Sequence, residues 1–503
     1  MRRLTALLVL VPTLCLAWPA GHAGETAADT IWMSVLLGGR KIGYLQVERR
    51  YDADRITTVQ TLALELNRTG RPLKLGSTSR SVESLDAEPL GFGASTRLSA
   101  IDSTVDGRRL EDGRFQVDSS VGGQDRQEML EWPRGALLAE GQRRAMAAAS
   151  RKAGSSYTMR EFDPASRHVM EVRMDVLGDE KVVLPDGVRT LSHQRQVLGL
   201  AHGDQVIDLW LDERGIPRKG LLSLVGRPLE MLACSRECAL APNQDVDMFR
   251  AAMVDSPRRL PANWRATPLR YRVRILGPGD DRLFIDTGEQ RVTALGKGQW
   301  LVDVGGARPG GQAPPQPEDS KANAWLQSDA PAIRQLAARV VGNAGSDRAK
   351  MRRLRSFVSD YITDHGLDVG YASALEVLHS RQGDCTEYAV LLAALARAEG
   401  IPARIVSGMV YADRYAGISR VFVPHEWVQA WVGDHWESYD AALRRFDATH
   451  LALSSSDGDP WHFFAASRLF GRIRIDTAMS GSDLIDTPAP LGPIAPATAG
   501  GER

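Results

Sequence analysis

Cys385, His425 and Asp440 are the residues whose types and order could do chemistry. A thiolate attacks a carbonyl carbon, an imidazole takes and returns the proton, and a carboxylate orients that imidazole and stabilises its charged form. Alone, each has an ordinary explanation: an inert buried thiol, a structural strand histidine, a turn-forming aspartate. In the order cysteine, strand, histidine, strand, aspartate they make up the parts of a nucleophilic acyl-transfer site.

Three elements must position them. Asp384 is followed three residues later by Glu387, a variant of the capping box, so the spacing predicts a helix over 385–399 capped by Asp384. Gly400 ends that helix and Pro402 blocks its continuation. The sulfur then sits in the first turn, where the helix dipole favours thiolate over thiol and backbone N–H groups could hold an oxyanion.

Strands are predicted over 403–411, 423–432 and 435–440, with Gly433-Asp434 as a two-residue type II′ turn. That turn sets Val432 opposite His435, Trp431 opposite Trp436, Gln429 opposite Ser438 and Trp427 opposite Asp440. By the period of two, His425, Trp427, Gln429 and Trp431 share a face with Trp436, Ser438 and Asp440, while Glu426 and Glu437 point the other way. Asp440 becomes the diagonal neighbour of His425, roughly 7 Å away between backbones and within side-chain reach. The tryptophans are read chiefly as core packing against the helix.

The runs Gly383-Asp-Cys-Thr-Glu387, Gly400-Ile-Pro-Ala-Arg404 and His425-Glu-Trp427, then Trp436 and Asp440, resemble the successive signatures of the transglutaminase-like superfamily. The resemblance covers 321–450. It implies a papain-like α+β core of helices packed on an antiparallel sheet, with Cys385 as nucleophile, His425 as general base and acid, and Asp440 as orienting carboxylate. Arg404 matches a familiar position and is read as structural. Gln429 stands where many relatives carry Glu; it lies outside the triad and bears on local electrostatics or substrate preference. Such a site forms an acyl-thioester from an amide. Water resolving it makes a peptidase or amidase, and an amine makes a transglutaminase; the sequence leaves both open. The expected partner is a protein or peptide substrate, with cell-wall peptide as one candidate, and no metal or organic cofactor is implied. A different class of function also stays open: an envelope binding protein that uses the same core as a scaffold.

The rest of the chain sets the context. Lys plus Arg and Asp plus Glu both number 62, so no net charge draws in nucleic acid or anionic lipid. Arg2 and Arg3 precede an apolar run over 4–17, and Gly21-His22-Ala23 offers a cleavage site. Residues 1–23 therefore read as a signal peptide, and the run is shorter than the roughly twenty residues of a membrane span. Leu14 before Cys15 argues against a lipid anchor. A periplasmic or secreted mature protein is expected. In that oxidising space Cys234 and Cys238 are expected to pair, leaving Cys385 as a thiol.

Short alternating apolar runs such as 41–49, 57–66 and 206–211 predict a mostly β domain over 24–255, interrupted by a helix within 135–151. A small β segment over 256–304 follows, with strands at 268–275, 283–286 and 299–304. The Gly- and Pro-dense stretch 305–320 reads as a linker without a regular element. Helices at 331–341 and 348–363 open the catalytic-looking domain, 321–480. Asp364, His365 and Asp368 match no metal-ligand spacing, and 481–503 reads as a disordered tail.

Overall fold

The strands of the first half form because apolar residues alternate with polar ones. In Arg55–Arg68, for example, Ile56, Thr58, Leu62, Leu64 and Leu66 all point inward. The computed structural model describes residues 28–68, 70–98, 102–199, 205–224, 226–276, 284–305, 313–365, 371–459 and 470–480. The segment read as a signal peptide and the expected disordered tail lie outside the described residues.

Two meanders, one of eight strands over 28–130 and one of seven over 136–234, join edge to edge where Ala28–Leu37 pairs with Arg227–Cys234. The resulting 15-stranded sheet is antiparallel except where Ala136–Leu137 runs parallel to Ser156–Phe162. It curls, so that strands near its two ends meet in one aromatic cluster of Phe92, Phe115, Trp132 and Phe162. The predicted helix is present as Ala139–Ala148. Its N-cap residue, Leu138, offers no side-chain bond. Buried Glu83 from a distant strand accepts from the Glu140 and Gly141 amides instead, at 2.7 and 2.9 Å. Cys234 and Cys238 are thiols here, contrary to the expected bridge, and both sulfurs lie 3.5 Å from Ser34 Oγ.

The second half is α+β. Helix Cys385–Ala398 is apolar nearly all round and buried from Thr386 to Arg397, as a helix enclosed on all sides must be. It packs on strands Ala403–Tyr415 and Ile418–Val432 on one side and on helices Pro331–Val341, Asp347–Tyr361 and Ala374–Ser380 on the other. Across the sheet the order is Val254–Asp255, Ile418–Val432, Ala403–Tyr415, Leu451–Ser456, with His435–Tyr439 also paired to Ile418–Val432. Arg397 clamps the helix end to the next strand through two bonds to the Ala403 carbonyl, 2.8 and 3.0 Å. Burial pulls its guanidinium down to about 10.

Several expectations change. The small sheet uses Gln290–Gly296; of the expected strand 283–286, residue 283 lies outside the described residues and 284–286 are not strand but lead into a turn over 287–290, where Thr287 Oγ1 accepts from the Glu289 and Gln290 amides. That sheet is completed by Ile473–Ser480 from far along the chain, paired with Leu269–Ile275. Val254–Asp255 pairs with Ile418–Val432, so the catalytic-looking sheet takes in a strand from before the boundary expected at 255. Within the linker Pro317–Asp319 forms a 3-10 turn, capped by Gln316 and Asp319 side chains. Helix Ala374–Ser380, boxed by Ser373 and Glu376, is an element the sequence reading lacked.

The halves touch close to the helix that Cys385 begins. Arg126 meets Asp329 at 2.8 Å, Gln327 Nε2 donates to the Val121 carbonyl at 3.0 Å, and the Tyr371 amide donates to Leu98 at 2.8 Å.

Candidate active site

Cys385 opens its helix as the capping residues predicted. Asp384 Oδ1 accepts from the Thr386 amide at 3.1 Å, and the Glu387 side chain reaches back to the Asp384 amide at 3.0 Å. Glu387 is fully buried, and its other oxygen takes the Ala372 amide at 3.1 Å, so it ties down the segment leading into Cys385. Gly383 is required there: a Cβ would stand 2.1 Å from Glu387 Cβ. The thiol is half-buried and reaches Asp384 Oδ1 at 3.6 Å. The capping box engages the Thr386 and Glu387 amides, so the helix end offers an oxyanion fewer donors than the sequence suggested.

The hairpin has the expected register, with Val432 opposite His435, Trp431 opposite Trp436 and Gln429 opposite Ser438. Gly433 stands at φ 74° while Asp434 keeps a negative φ, as a type II′ turn needs. The strand ends at Tyr439, and the next residue, Asp440, accepts from His425 Nε2–H at 2.7 Å. Gly408 lies opposite His425 on the neighbouring strand, where a Cβ would come within 2.1 Å of the Leu451 carbonyl. On the other face Glu437 is held by Arg348 and the Tyr439 hydroxyl, and Glu426 by Ser407, away from His425.

Gln429 Oε1 accepts from Arg404 Nε and Nη2 at 3.1 and 2.8 Å, and its amide donates to Ser438 at 3.3 Å. Arg404 also lies over the Trp436 ring, 4.1 Å from the centroid. Burial brings the guanidinium down to about 10. An amide oxygen thus does for this arginine what a carboxylate would do, without adding a charge to the site.

A residue missed from sequence is His450. It is fully buried, and its Nε2–H donates to the same Asp440 oxygen at 3.0 Å. Its Nδ1 lies 2.9 Å from the Asp447 carbonyl and 3.4 Å from the Asp447 carboxylate; the Asp447 amide also faces it, at 3.3 Å. Trp427 and Phe446 enclose the ring. His450 follows an irregular segment whose path no periodicity encodes. Only its place before the apolar run Leu451-Ala452-Leu453 could have drawn notice.

Burial pushes the Asp440 carboxyl up, but the charges and hydrogen bonds of His425 and His450 outweigh it and hold the group well below the usual carboxylate range. Burial works against charge on His450 too, yet Asp440 and Asp447 raise it above its ordinary 6.5. A raised folded value means stability that is full below 6.5 and lost as pH rises through the folded value; the depressed Asp440 adds stability above 3.8 that is lost as pH falls through its folded value. His450→Gln should therefore lower the melting temperature most between these limits and least at alkaline pH. A difference from wild type that stays constant from pH 5 to pH 9 (roughly the span a histidine samples) would rule out a charged His450.

Residues 334–441 match the family model described as the transglutaminase-like superfamily. A stretch of 83 residues is 37% identical to an uncharacterized protein of Mycobacterium leprae, covering 16% of this chain and 29% of that one. The chain thus spans under a third of that relative's length. Among solved structures, a beta-barrel-like protein from Brucella abortus is 13% identical over 41% of this chain and 95% of its own, with a TM-score of 0.32. A proposed cysteine protease from Cytophaga hutchinsonii is 14% identical over 45% and 86%, with a TM-score of 0.27. The periplasmic domain of TgpA from Pseudomonas aeruginosa is 18% identical over 36% and 91%, with a TM-score of 0.21. Among the described residues no helix is long and apolar enough to cross a membrane. Capped helix, paired strands and family match together make the region from 334 to 441 a core of the transglutaminase-like superfamily.

Proposed function

We propose that the chain is an exported, cysteine-dependent acyl-transfer enzyme that opens amide bonds through an acyl-thioester on Cys385. The observation that carries this reading is the buried 2.7 Å bond from His425 Nε2 to Asp440. It fixes the imidazole with Nδ1 as the nitrogen left for a thiol, on a strand packed against the helix that Cys385 begins. His425 takes the thiol proton, and the thiolate attacks the amide carbonyl. As the C–N bond breaks, His425 returns the proton to the departing amine or ammonia. The thioester is then resolved by water or by an amine; His425 takes the proton from that nucleophile, and the C–S bond breaks. Asp440 stays ionised throughout and stabilises the imidazolium.

A papain-like arrangement of helix on antiparallel sheet fits this chemistry, and a protein or peptide is the substrate class proposed, cell-wall peptide included. The deciding assay supplies a glutamine-containing peptide with and without a primary amine and follows products by mass. Free acid in both cases marks a hydrolase, and amine-linked product marks a transglutaminase. No product of either kind over a panel of such peptides, with wild type equal to Cys385→Ala, would favour a binding protein. Export rests on the charged, apolar and small-residue pattern over 1–23. Native protein beginning at Met1 would contradict it.

A further inference from the structure

The curled sheet of the first half encloses a cavity of about 160 Å³ that the acyl-transfer reading does not use. Its wall is mostly apolar, with Ile31, Met33, Val47, Met170, Leu198 and Ile207 among the lining residues, and helix Ala139–Ala148 lies over it. Two polar groups break that wall side by side. Arg49 and Thr58 are direct cross-strand partners, and both line the cavity. Arg49 is 4% exposed and Thr58 1%. Arg49 Nε and Nη1 and Thr58 Oγ1 have no hydrogen-bond partner. Buried polar groups are nearly always satisfied, and a guanidinium left so is rarer still.

The ion pair that Arg49 does make is weak in geometry and oversubscribed. Its Nε lies 3.3 Å from Glu140 Oε2, while Arg143 holds both Glu140 oxygens, at 2.6 and 2.8 Å, and Arg144 takes one at 2.9 Å. One carboxylate therefore serves three guanidiniums, and Arg49 has the longest contact of the three. The acids elsewhere in the wall are already engaged. Asp163 accepts from the Ser166 amide and hydroxyl and the Ala165 amide, and Glu161 accepts from Gln196 at 3.2 Å. Burial pushes the Glu161 carboxyl up to about 7, which weakens its opposition to an anion.

We propose that this cavity binds a small carboxylate with an apolar tail, the head accepting from Arg49 and Thr58 and the tail lying along the aliphatic wall. A planar carboxylate suits a guanidinium fork and can also accept from a hydroxyl. The cavity is of the size that holds a ring or a short alkyl chain, for an apolar space of about 150 Å³ takes benzene.

The test is calorimetric titration of the full mature chain with octanoate and with phenylpropionate, against octylamine, octanol and acetate as controls. Octanoate or phenylpropionate should bind, and the amine, the alcohol and acetate should bind far more weakly. Arg49→Met should fold, since it removes a charge that lacks full pairing, and should weaken carboxylate binding about ten- to a hundredfold. If that variant does not fold, Thr58→Val serves in its place and should weaken binding severalfold while leaving the melting temperature of the empty protein nearly unchanged. The proposal is overturned if neither carboxylate binds, if octylamine or octanol binds as well, or if the variant that folds keeps wild-type affinity.

Discussion

Cys385→Ala should abolish turnover, and His425→Ala should lower it on the order of 10⁶-fold, the scale on which removing one member of a nucleophile–base pair is felt. The second substitution separates two roles. The Cys385 thiol remains, at the start of the same capped helix, but no imidazole is left to take its proton. Alkylation by iodoacetamide should therefore survive in His425→Ala yet lose its advantage under mildly acidic conditions, where an ordinary thiol is nearly inert. A rate–pH profile unchanged by His425→Ala would mean that the two groups do not work together.

Asp440→Asn should cost about 10³- to 10⁴-fold in kcat with little change in KM, because the carboxylate acts on the imidazole rather than on substrate. Stability should fall as well, by about 3 kcal/mol, since one buried oxygen accepts from both His425 and His450 and both would lose an ionised partner. Glu437→Ala is the control. Glu437 is paired with Arg348 at 2.7 Å on the opposite face of the hairpin, an exposed pair of the kind worth at most about 1 kcal/mol. Kinetics and thermal melts of the two variants should thus diverge sharply. Equal losses of kcat in both would mean that the hairpin does not select Asp440 in solution.

What was legible in the sequence was local. The capping residues Asp384 and Glu387 and the punctuation of Gly400 and Pro402 act within a few residues, so they fixed the helix of Cys385 to within one residue. Gly433 fixed the hairpin, and the period of two then carried the register from Val432 back to His425. The remainder depends on contacts between distant parts of the chain. Glu83 caps a helix that starts more than fifty residues later, and Ile473–Ser480 completes a sheet begun at Leu269. His450 reaches Asp440 through a segment of turns, and a curled sheet sets Arg49 facing a cavity. Alternation predicts which side of a strand is apolar, but not which other strand, helix or cavity that side will meet.

The central claim is a covalent one, so the most direct measurement is the mass of the protein after brief incubation with an activated acyl donor, such as a peptide p-nitrophenyl ester, followed by acid quench and peptide mapping. The account predicts one acyl group, lost on treatment with hydroxylamine, on the peptide containing Cys385, present in wild type and absent in Cys385→Ser. Acylation spread over surface lysines, or an adduct that persists in Cys385→Ser, would contradict it.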